Sequence, residues 1–359
     1  MLRSSPFSSG TRMKIALDAM GGDLAPASTV AGALEALHKY QDIEIILVGD
    51  RARLDKELAA QDAVPHPKRL SIHHASQVVE MADSAIDAVR RKKDSSISRA
   101  VELLADGAAD ALVSAGHTGA LVAAATVRLR MLPGVDRPGI AAVMPTQDNF
   151  FLLIDAGANV DSDPGHLLRY GIMGSVYSHE VLKCKKPRVG LLNIGSEAGK
   201  GNELTKEAYK LLASAPINFI GNVEGHDLFD DGVDVVVCDG FVGNVTLKTS
   251  ERLAKAISHW LRGELTKNLV RAAGALMAKD AFSAIRHRVN GEEYGGMPLL
   301  GVQGICIKAH GNSPPKAIKN AIRVAREAVA QKVNPLIVEA ISQHDKLVQD
   351  AIIIGKRAT

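Results

Sequence analysis

Short runs of aliphatic and β-branched residues alternate along this chain with stretches whose apolar positions recur every three or four residues. The runs Lys14 to Asp18, Ile43 to Val48, Ala111 to Ser114, Ile140 to Met144, Phe151 to Asp155, Val189 to Asn193, Asn218 to Asn222, Val233 to Cys238 and Gly304 to Lys308 are almost continuously hydrophobic. That pattern predicts strands of parallel type, buried on both faces. Between them, Ala27 to Tyr40, Ile97 to Asp106, Glu203 to Ala213 and Pro315 to Val333 read as helices, the first and last with Ala-rich faces of helical period. Strand and helix in alternation predict a doubly wound α/β architecture. One stretch breaks the alternation: Glu251 to Val289 is long, helical in pattern and contains no strand. There Leu253, Ile257, Leu261, Leu265 and Leu269 recur at i+4 beside Trp260, with Arg252, Lys255, Arg262, Lys267, Arg271 and Lys279 on the remaining surface. The expected element is a long amphipathic helical hairpin.

At 359 residues the chain exceeds the size of one ordinary core. Two α/β lobes are expected, the first from residues 13–145 with 303–345, the second from 146–302 with the hairpin at 251–289. Residues 1–12 are Ser-rich, lack the apolar run of a signal peptide and are expected to form a disordered leader. No segment approaches the roughly 20 apolar residues that cross a bilayer, so a cytoplasmic location is expected unless something anchors the chain. Aromatic residues are only 4% of the total, against 32 glycines, which argues against stacking on single-stranded nucleic acid. A net charge of +3 is too weak to imply DNA binding but suits an acidic partner meeting a local basic patch. Cys184, Cys238 and Cys306 are widely spaced, with no pair set to bind zinc or exchange electrons, and read as reduced buried thiols.

The chemistry is signalled by where the glycines fall. Six of the strand runs end in small polar loops: Asp18-Ala19-Met20-Gly21-Gly22-Asp23, Ser114-Ala115-Gly116-His117-Thr118-Gly119, Asp155-Ala156-Gly157-Ala158-Asn159, Asn193-Ile194-Gly195-Ser196-Glu197, Asp239-Gly240-Phe241-Val242-Gly243-Asn244 and His310-Gly311-Asn312-Ser313. In an open α/β sheet, ligands bind outside the carboxyl ends of the strands, where helix N-termini supply free amides for an anion. Each loop alone is equally a tight βα turn; together, on one sheet edge, they outline a phosphate-binding site. The run Gly195 to Gly201 is one residue short of a nucleotide P-loop, and none of these loops reads G-x-G-x-x-G. Asp155, Asp161 and Asp163 cluster, and His117, His166, His226 and His310 are scattered, without a metal-site spacing, so no metal and no cofactor is expected. No G-x-S-x-G elbow supports a serine hydrolase. In His310-Gly311-Asn312-Ser313-Pro314 the Asn or Ser either caps the following helix or leaves its amides to an anion.

Several of these motifs occur in a common order. Met13-Lys14-Ile15-Ala16-Leu17 leading into Asp18 to Asp23, Arg90-Arg91-Lys92-Lys93, Asp155-Ala156-Gly157-Ala158-Asn159-Val160-Asp161, Ile172-Met173-Gly174-Ser175-Val176-Tyr177, Leu192-Asn193-Ile194-Gly195, Asp239-Gly240-Phe241-Val242-Gly243-Asn244 and Leu299-Leu300-Gly301 resemble the PlsX family of bacterial phosphate acyltransferases, over about Met13 to Val333. The resemblance implies transfer of a fatty acyl group from acyl carrier protein to inorganic phosphate, giving acyl phosphate for phospholipid synthesis. It further implies a three-layer α/β/α fold like that of isocitrate and isopropylmalate dehydrogenases. A homodimer working at the inner membrane face, with a downstream membrane acyltransferase as partner, is also implied. His117 stands where the family has Asn, Ser196 and Ala198 where acidic residues are common, and Met297 where a small residue is usual.

Such a reaction needs an oriented phosphate, donors for an oxyanion and a proton for the leaving thiolate. Phosphate is assigned to amides around Gly21, Gly22, Gly311, Asn312 and Ser313, with Lys200 or Lys248 as point charges. Asn159, Asn193 and Asn244 are candidate oxyanion donors, His310 or His117 the proton donor, and Asp18, Asp155 and Asp239 the residues that orient those donors or hold turns. Arg90, Arg91, Lys92 and Lys93 form the densest basic run, expected either to dock the acidic carrier or to be a solvated helix end. Leu265, Leu269, Leu276 and Met277 are the candidate tip for an anionic bilayer, the alternative being dimer contact along the same apolar stripe. An acyl-CoA phosphate acyltransferase, a nicotinamide dehydrogenase of the same fold and a non-catalytic membrane scaffold are the competing readings.

Overall fold

The computed structural model describes residues 12–61, 68–289 and 295–357, with side chains described except at 286–289 and 348–357. The expected leader, apart from Arg12, lies outside them. In chain order, β1 (Met13–Asp18), α1 (Ala27–Lys39), β2 (Ile43–Gly49), α2 (Arg51–Ala60), β3 (Leu70–His74), α3 (Ala85–Arg91), α4 (Ser96–Ala105), β4 (Ala111–Ser114) and α5 (Thr118–Leu129) lead to β5 (Gly139–Pro145) and β6 (Phe150–Ile154). Then follow α6 (Pro164–Glu180), β7 (Arg188–Leu192), α7 (Glu203–Ser214), β8 (Asn218–Val223), β9 (Val235–Val237) and α8 (Gly240–Leu265). The remaining elements are α9 (Leu269–Met277), α10 (Lys279–Val289), β10 (Met297–Leu300), β11 (Ile305–Lys308), α11 (Pro315–Ala330) and α12 (Val333–Arg357).

The strands form one eleven-stranded sheet in the order β3-β2-β1-β4-β11-β10-β5-β6-β9-β7-β8. Alternate strand residues enter different cores, as the period of two requires. Ile15 and Leu17 pack with Val30 and Leu37 of α1 and Ile318 and Ile322 of α11, whereas Ala16 joins Ile97 and Val101 of α4 and Leu121 of α5. Further along, Leu152 and Ile154 meet Tyr170 of α6 and Ile337 of α12, while Phe151 and Leu153 join the same core as Ala16. Helices therefore cover both faces of the sheet.

Two expectations change. Strands β3 and β10 were not legible as runs, and the sheet is mixed rather than parallel, because β10 is antiparallel to both β11 and β5 and β5 is antiparallel to β6. The link from Pro145 to Phe150 is closed by the Thr146 amide on the Asn149 carbonyl at 3.0 Å, a hairpin too short for a helical crossover. That hairpin reverses direction for the rest of the sheet: β6, β7, β8 and β9 are mutually parallel and run opposite to β1, β4 and β11. The six glycine-rich loops consequently do not share one edge. Those after β1, β4 and β11 lie at one edge, those after β6, β7 and β9 at the other.

The helical stretch also starts earlier than its pattern suggested. Asp239 accepts from the amides of Phe241 and Val242 at 2.9 and 3.0 Å and caps α8 directly at the end of β9, so the expected loop 239–244 is the first turn of a 26-residue helix. Beyond Leu265 come two short helices, α9 and α10, in place of the second arm of a simple hairpin, and no residue of α9 is buried. No helix among the described residues is long and apolar enough to cross a membrane.

Candidate functional site

Three central strands end in register on one polar row. Asp18 of β1 pairs with Ser114 of β4, and Ser114 with Lys308 of β11. All three are buried. The Ser114 hydroxyl donates to Asp18 Oδ2 at 2.7 Å and accepts from the Gly116 amide at 3.1 Å, whereas Asp18 Oδ1 has no hydrogen-bond partner among the described residues. Burial pushes the Asp18 carboxyl above its ordinary range, opposed by hydrogen bonds from Ser96, Ser114 and the Met20 and Gly21 backbone. The Lys308 ammonium donates to the carbonyls of Ala115, at 3.4 Å, and Ala309. Burial pushes its pKa down to about 8, against the pull of Asp18 and Asp23 and with the push of Lys248.

Glycine is required where these loops meet. A Cβ on Gly21 would stand 2.4 Å from Asp18 Oδ2 and 2.7 Å from the Gly116 nitrogen. Gly22 has φ of +104°, and a Cβ there would come within 2.7 Å of the Gly311 carbonyl oxygen, the atom that accepts from the Asp23 amide at 2.7 Å. The three loops thus close on one another with backbone as their lining. At α11 the ambiguity left by the sequence is resolved: Pro314 is the N-cap, no side chain caps this helix, and Pro315 begins it, so Asn312 and Ser313 do not act as caps. His117 does cap. Its Nδ1 accepts from the Ala120 amide at 3.1 Å, a bond that an Asn at this position makes equally well, which gives the departure at His117 a structural reason.

A cavity of about 850 Å³ opens beside this row. Its wall includes the polar Lys308, His310, Ser313 and Glu251, of which His310 and Glu251 pair, and the apolar Met144, Phe229, Leu253, Ile257 and Met297. Glu251 of α8 links two basic side chains: it lies 3.3 Å from His310 Nε2 and 3.5 Å from the Lys248 ammonium. The hydrogen bond from His310 is the main reason that the Glu251 carboxyl is held below its ordinary range.

At the opposite edge, Asp155 is consumed by its own loop. It accepts from the amides of Ile140 and Gly157 at 3.0 Å, Ala158 at 2.9 Å and Asn159 at 2.8 Å, which offset a burial that raises its pKa. The Asn159 amide group turns inward to the Tyr170 hydroxyl at 2.9 Å and the Pro138 carbonyl, and its own carbonyl receives the Gly240 amide at 2.9 Å, fixing the start of α8. Asn193 accepts from the Ile194 amide at 2.8 Å and donates to the Lys200 carbonyl at 3.1 Å. Lys200 itself is about half exposed, 4.0 Å from Glu197. Asn244 lies against Gly157. From Asn244, positions i+4 and i+7 on α8 are Lys248 and Glu251, a polar face that connects the two edges over roughly 10 Å of helix.

The remaining expected residues lie around this centre. In the basic run Lys92 is committed to Asp83 at 2.6 Å and the Val78 carbonyl at 2.9 Å, whereas Arg90, Arg91 and Lys93 are exposed. Helix α3, which carries Arg90 and Arg91, packs on α5 behind the His117 loop. Leu269, Leu276 and Met277 are 88%, 73% and 91% exposed, and Leu265 partly so, roughly 20 Å along α8 from Glu251. No group of three potential metal ligands is gathered among the described residues. The residue that the glycine pattern missed is Lys308. Its signal was present as a lysine ending an otherwise apolar strand immediately before a glycine loop.

Solved structures resemble this fold closely in extent though not in sequence. A phosphotransacetylase from Streptococcus pyogenes aligns with a TM-score of 0.60 at 15% identity, over 89% of this chain and 94% of that one. The EutD phosphotransacetylase from Staphylococcus aureus gives 0.58 at 16%, with the same coverage. The fold is thus the mixed α/β fold of phosphotransacylases. The model of the family described as fatty acid synthesis protein matches residues 13–336. Proteins called phosphate acyltransferase from Pelotomaculum thermopropionicum and Syntrophotalea carbinolica are 51% and 47% identical, over 89% and 95% of this chain and 93% and 98% of their own. The chain belongs to this family, that of the PlsX phosphate acyltransferases, and is an acyltransferase.

Proposed function

We propose that this acyltransferase moves a fatty acyl group from the thioester of acyl carrier protein to inorganic phosphate and releases acyl phosphate for phospholipid synthesis. The observation that carries this reading is the cavity itself, whose wall combines Lys308, His310, Asn312 and Ser313 at the end of β11 with the apolar Leu253 and Ile257 of α8. The phosphate is received where the loops of Gly21, Gly22, Gly311 and Asn312 meet, by backbone amides such as those of Gly22, Gly311 and Asn312; the Ser313 amide is committed to the His310 carbonyl at 3.1 Å, so Ser313 borders the site. Lys248 and Asn244, on one face of α8, face the thioester carbonyl and its developing oxyanion. Asp18, Asp155, Asn159 and Asp239 position these loops. Lys200 and Asn193 border the second edge, where the carrier-bound end of the substrate enters.

The chemistry balances without a cofactor. Hydrogen phosphate dianion attacks the carbonyl carbon, the carbon–sulfur bond breaks, and the proton that phosphate loses is the one the thiol gains. His310, held by Glu251, relays it; His117 is occupied as a cap. Exposed Arg90, Arg91 and Lys93 suit an acidic carrier. The two lobes expected from the sequence meet at this cavity. Two copies of the chain pair along the exposed apolar stripe of α8, and the tip of α9 touches an anionic membrane on its cytoplasmic face, where a downstream membrane acyltransferase takes the product. Thiol release from carrier thioester, from acyl-CoA, and without phosphate tests the reading. Rapid phosphate-dependent release from the carrier supports it, release from acyl-CoA alone reassigns the donor, and neither leaves a scaffold.

A further inference from the structure

We propose that Lys308 is the cation against which phosphate is bound, its ammonium forming the floor of the cradle made by the loops after β1, β4 and β11. This rests on the acyltransfer reading and deepens it by assigning a charge that the glycine loops lack. Lys308 is only 4% exposed, yet it forms part of the cavity wall beside His310 and Ser313. Two of its three N–H donors go to the carbonyls of Ala115 and Ala309, which leaves one for a ligand in the cavity. It sits in register with Ser114, whose hydroxyl is already directed to Asp18.

A buried ammonium held chiefly by two neutral carbonyls is costly, and a structural role in such a strand end is met as well by Met or Leu. The charged groups facing it are Asp18 at the end of β1, Asp23 on the following loop and Lys248 on α8. Glu251 and His310 line the same cavity and pair with each other. The neighbouring positive charge of Lys248 adds to the cost of the empty site and to the attraction for a dianion. Lys248 and Lys200 are each about half exposed and screened by water and a glutamate, so neither offers phosphate a desolvated charge. Lys308 does. Its pKa near 8 makes the protein charged for phosphate at neutral pH and uncharged above that value, where inorganic phosphate is already a dianion.

The test uses the full chain, inorganic phosphate and a saturating acyl carrier thioester. Lys308→Gln is expected to raise the KM for phosphate roughly 10- to 100-fold, the effect of one charge-assisted hydrogen bond, and to leave the KM for the thioester unchanged. In the unaltered protein phosphate affinity falls as pH rises through about 8. That limb disappears in Lys308→Gln and moves to higher pH in Lys308→Arg, which recovers much of the affinity. A folded Lys308→Gln protein with unchanged phosphate KM overturns the assignment, as does an equal rise of both KM values with the pH limb retained. Should the variant fail to fold, the melting temperature of the unaltered protein with and without phosphate decides. The stabilisation by phosphate must decline through about pH 8, and a flat profile there refutes the role. Thiol release by the unaltered protein that does not depend on phosphate defeats the acyltransfer reading instead.

Discussion

Replacing Gly21 by Ala perturbs the point where the β1 and β4 loops meet while adding one methyl group. The new Cβ would lie 2.4 Å from Asp18 Oδ2, 2.7 Å from the Gly116 nitrogen and 2.8 Å from its Cα, all well inside ordinary contact. Asp18 cannot swing aside cheaply, because it is buried and its Oδ2 is held by the Ser114 hydroxyl at 2.7 Å. The loops must therefore separate by roughly 1 Å, at about 1–3 kcal/mol of overpacking. For a chain of 359 residues that lowers the melting temperature by about 1–4 °C. A shift of ~1 Å in a group that orients a reactant lowers the rate on the order of 100-fold. Steady-state kinetics against phosphate, with a melting curve for each protein, measure both effects. Gly225→Ala is the control: nothing lies within 4 Å of its added Cβ, and a change within about 0.5 kcal/mol is expected. A folded Gly21→Ala protein with unaltered kcat and phosphate KM would refute the placement of phosphate at these loops.

Met297 walls the apolar part of the cavity, so Met297→Ala is expected to shift acyl preference toward longer chains, read as the ratio of kcat/KM for two carrier thioesters; no shift removes Met297 from the acyl path. Reversing the exposed charges, Arg90→Glu with Arg91→Glu and Lys93→Glu, should raise the KM for carrier thioester about tenfold at low salt, converging with the unaltered protein at high salt. Leu269→Glu with Met277→Glu, at positions 88% and 91% exposed, should abolish flotation with anionic liposomes while leaving the melting temperature unchanged; a lower melting temperature instead identifies a packed surface. For Lys308 without phosphate, the folded pKa of about 8 lies below the ordinary value of 10.5. The unfolded chain then binds more protons between these values, so stability should rise with pH across that window, by a few kcal/mol at most, in a series of denaturant titrations.

The strands that the sequence makes legible are those buried on both faces, such as Ala111–Ser114 and Ile43–Gly49, since continuous hydrophobicity is their own signature. Leu70–His74 at the sheet margin has no fully buried position and Met297–Leu300 contains a proline, so neither stands out from its surroundings. Strand direction escaped because it is a property of connections: only the brevity of the Thr146–Asn149 link reveals the reversal. The glycines at 21 and 22 marked a real meeting of loops, since close approach of Asp18 and of the Gly116 and Gly311 backbone excludes side chains there, whereas a Cβ on Gly311 would come no nearer than 3.5 Å to Asp23. Which loops meet was not legible, because an aspartate that feeds its own turn, as Asp155 does, reads in sequence like one that faces a ligand. Lys308 was hidden for the converse reason, its charge being folded into a strand that reads as apolar.

The most direct measurement follows thiol release from acyl carrier thioester by the purified protein at increasing phosphate, with the acyl product trapped by hydroxylamine. Acyl transfer to phosphate predicts that release saturates with phosphate and that hydroxamate appears in equal amount. Release that is independent of phosphate, or that yields only free fatty acid, would contradict it.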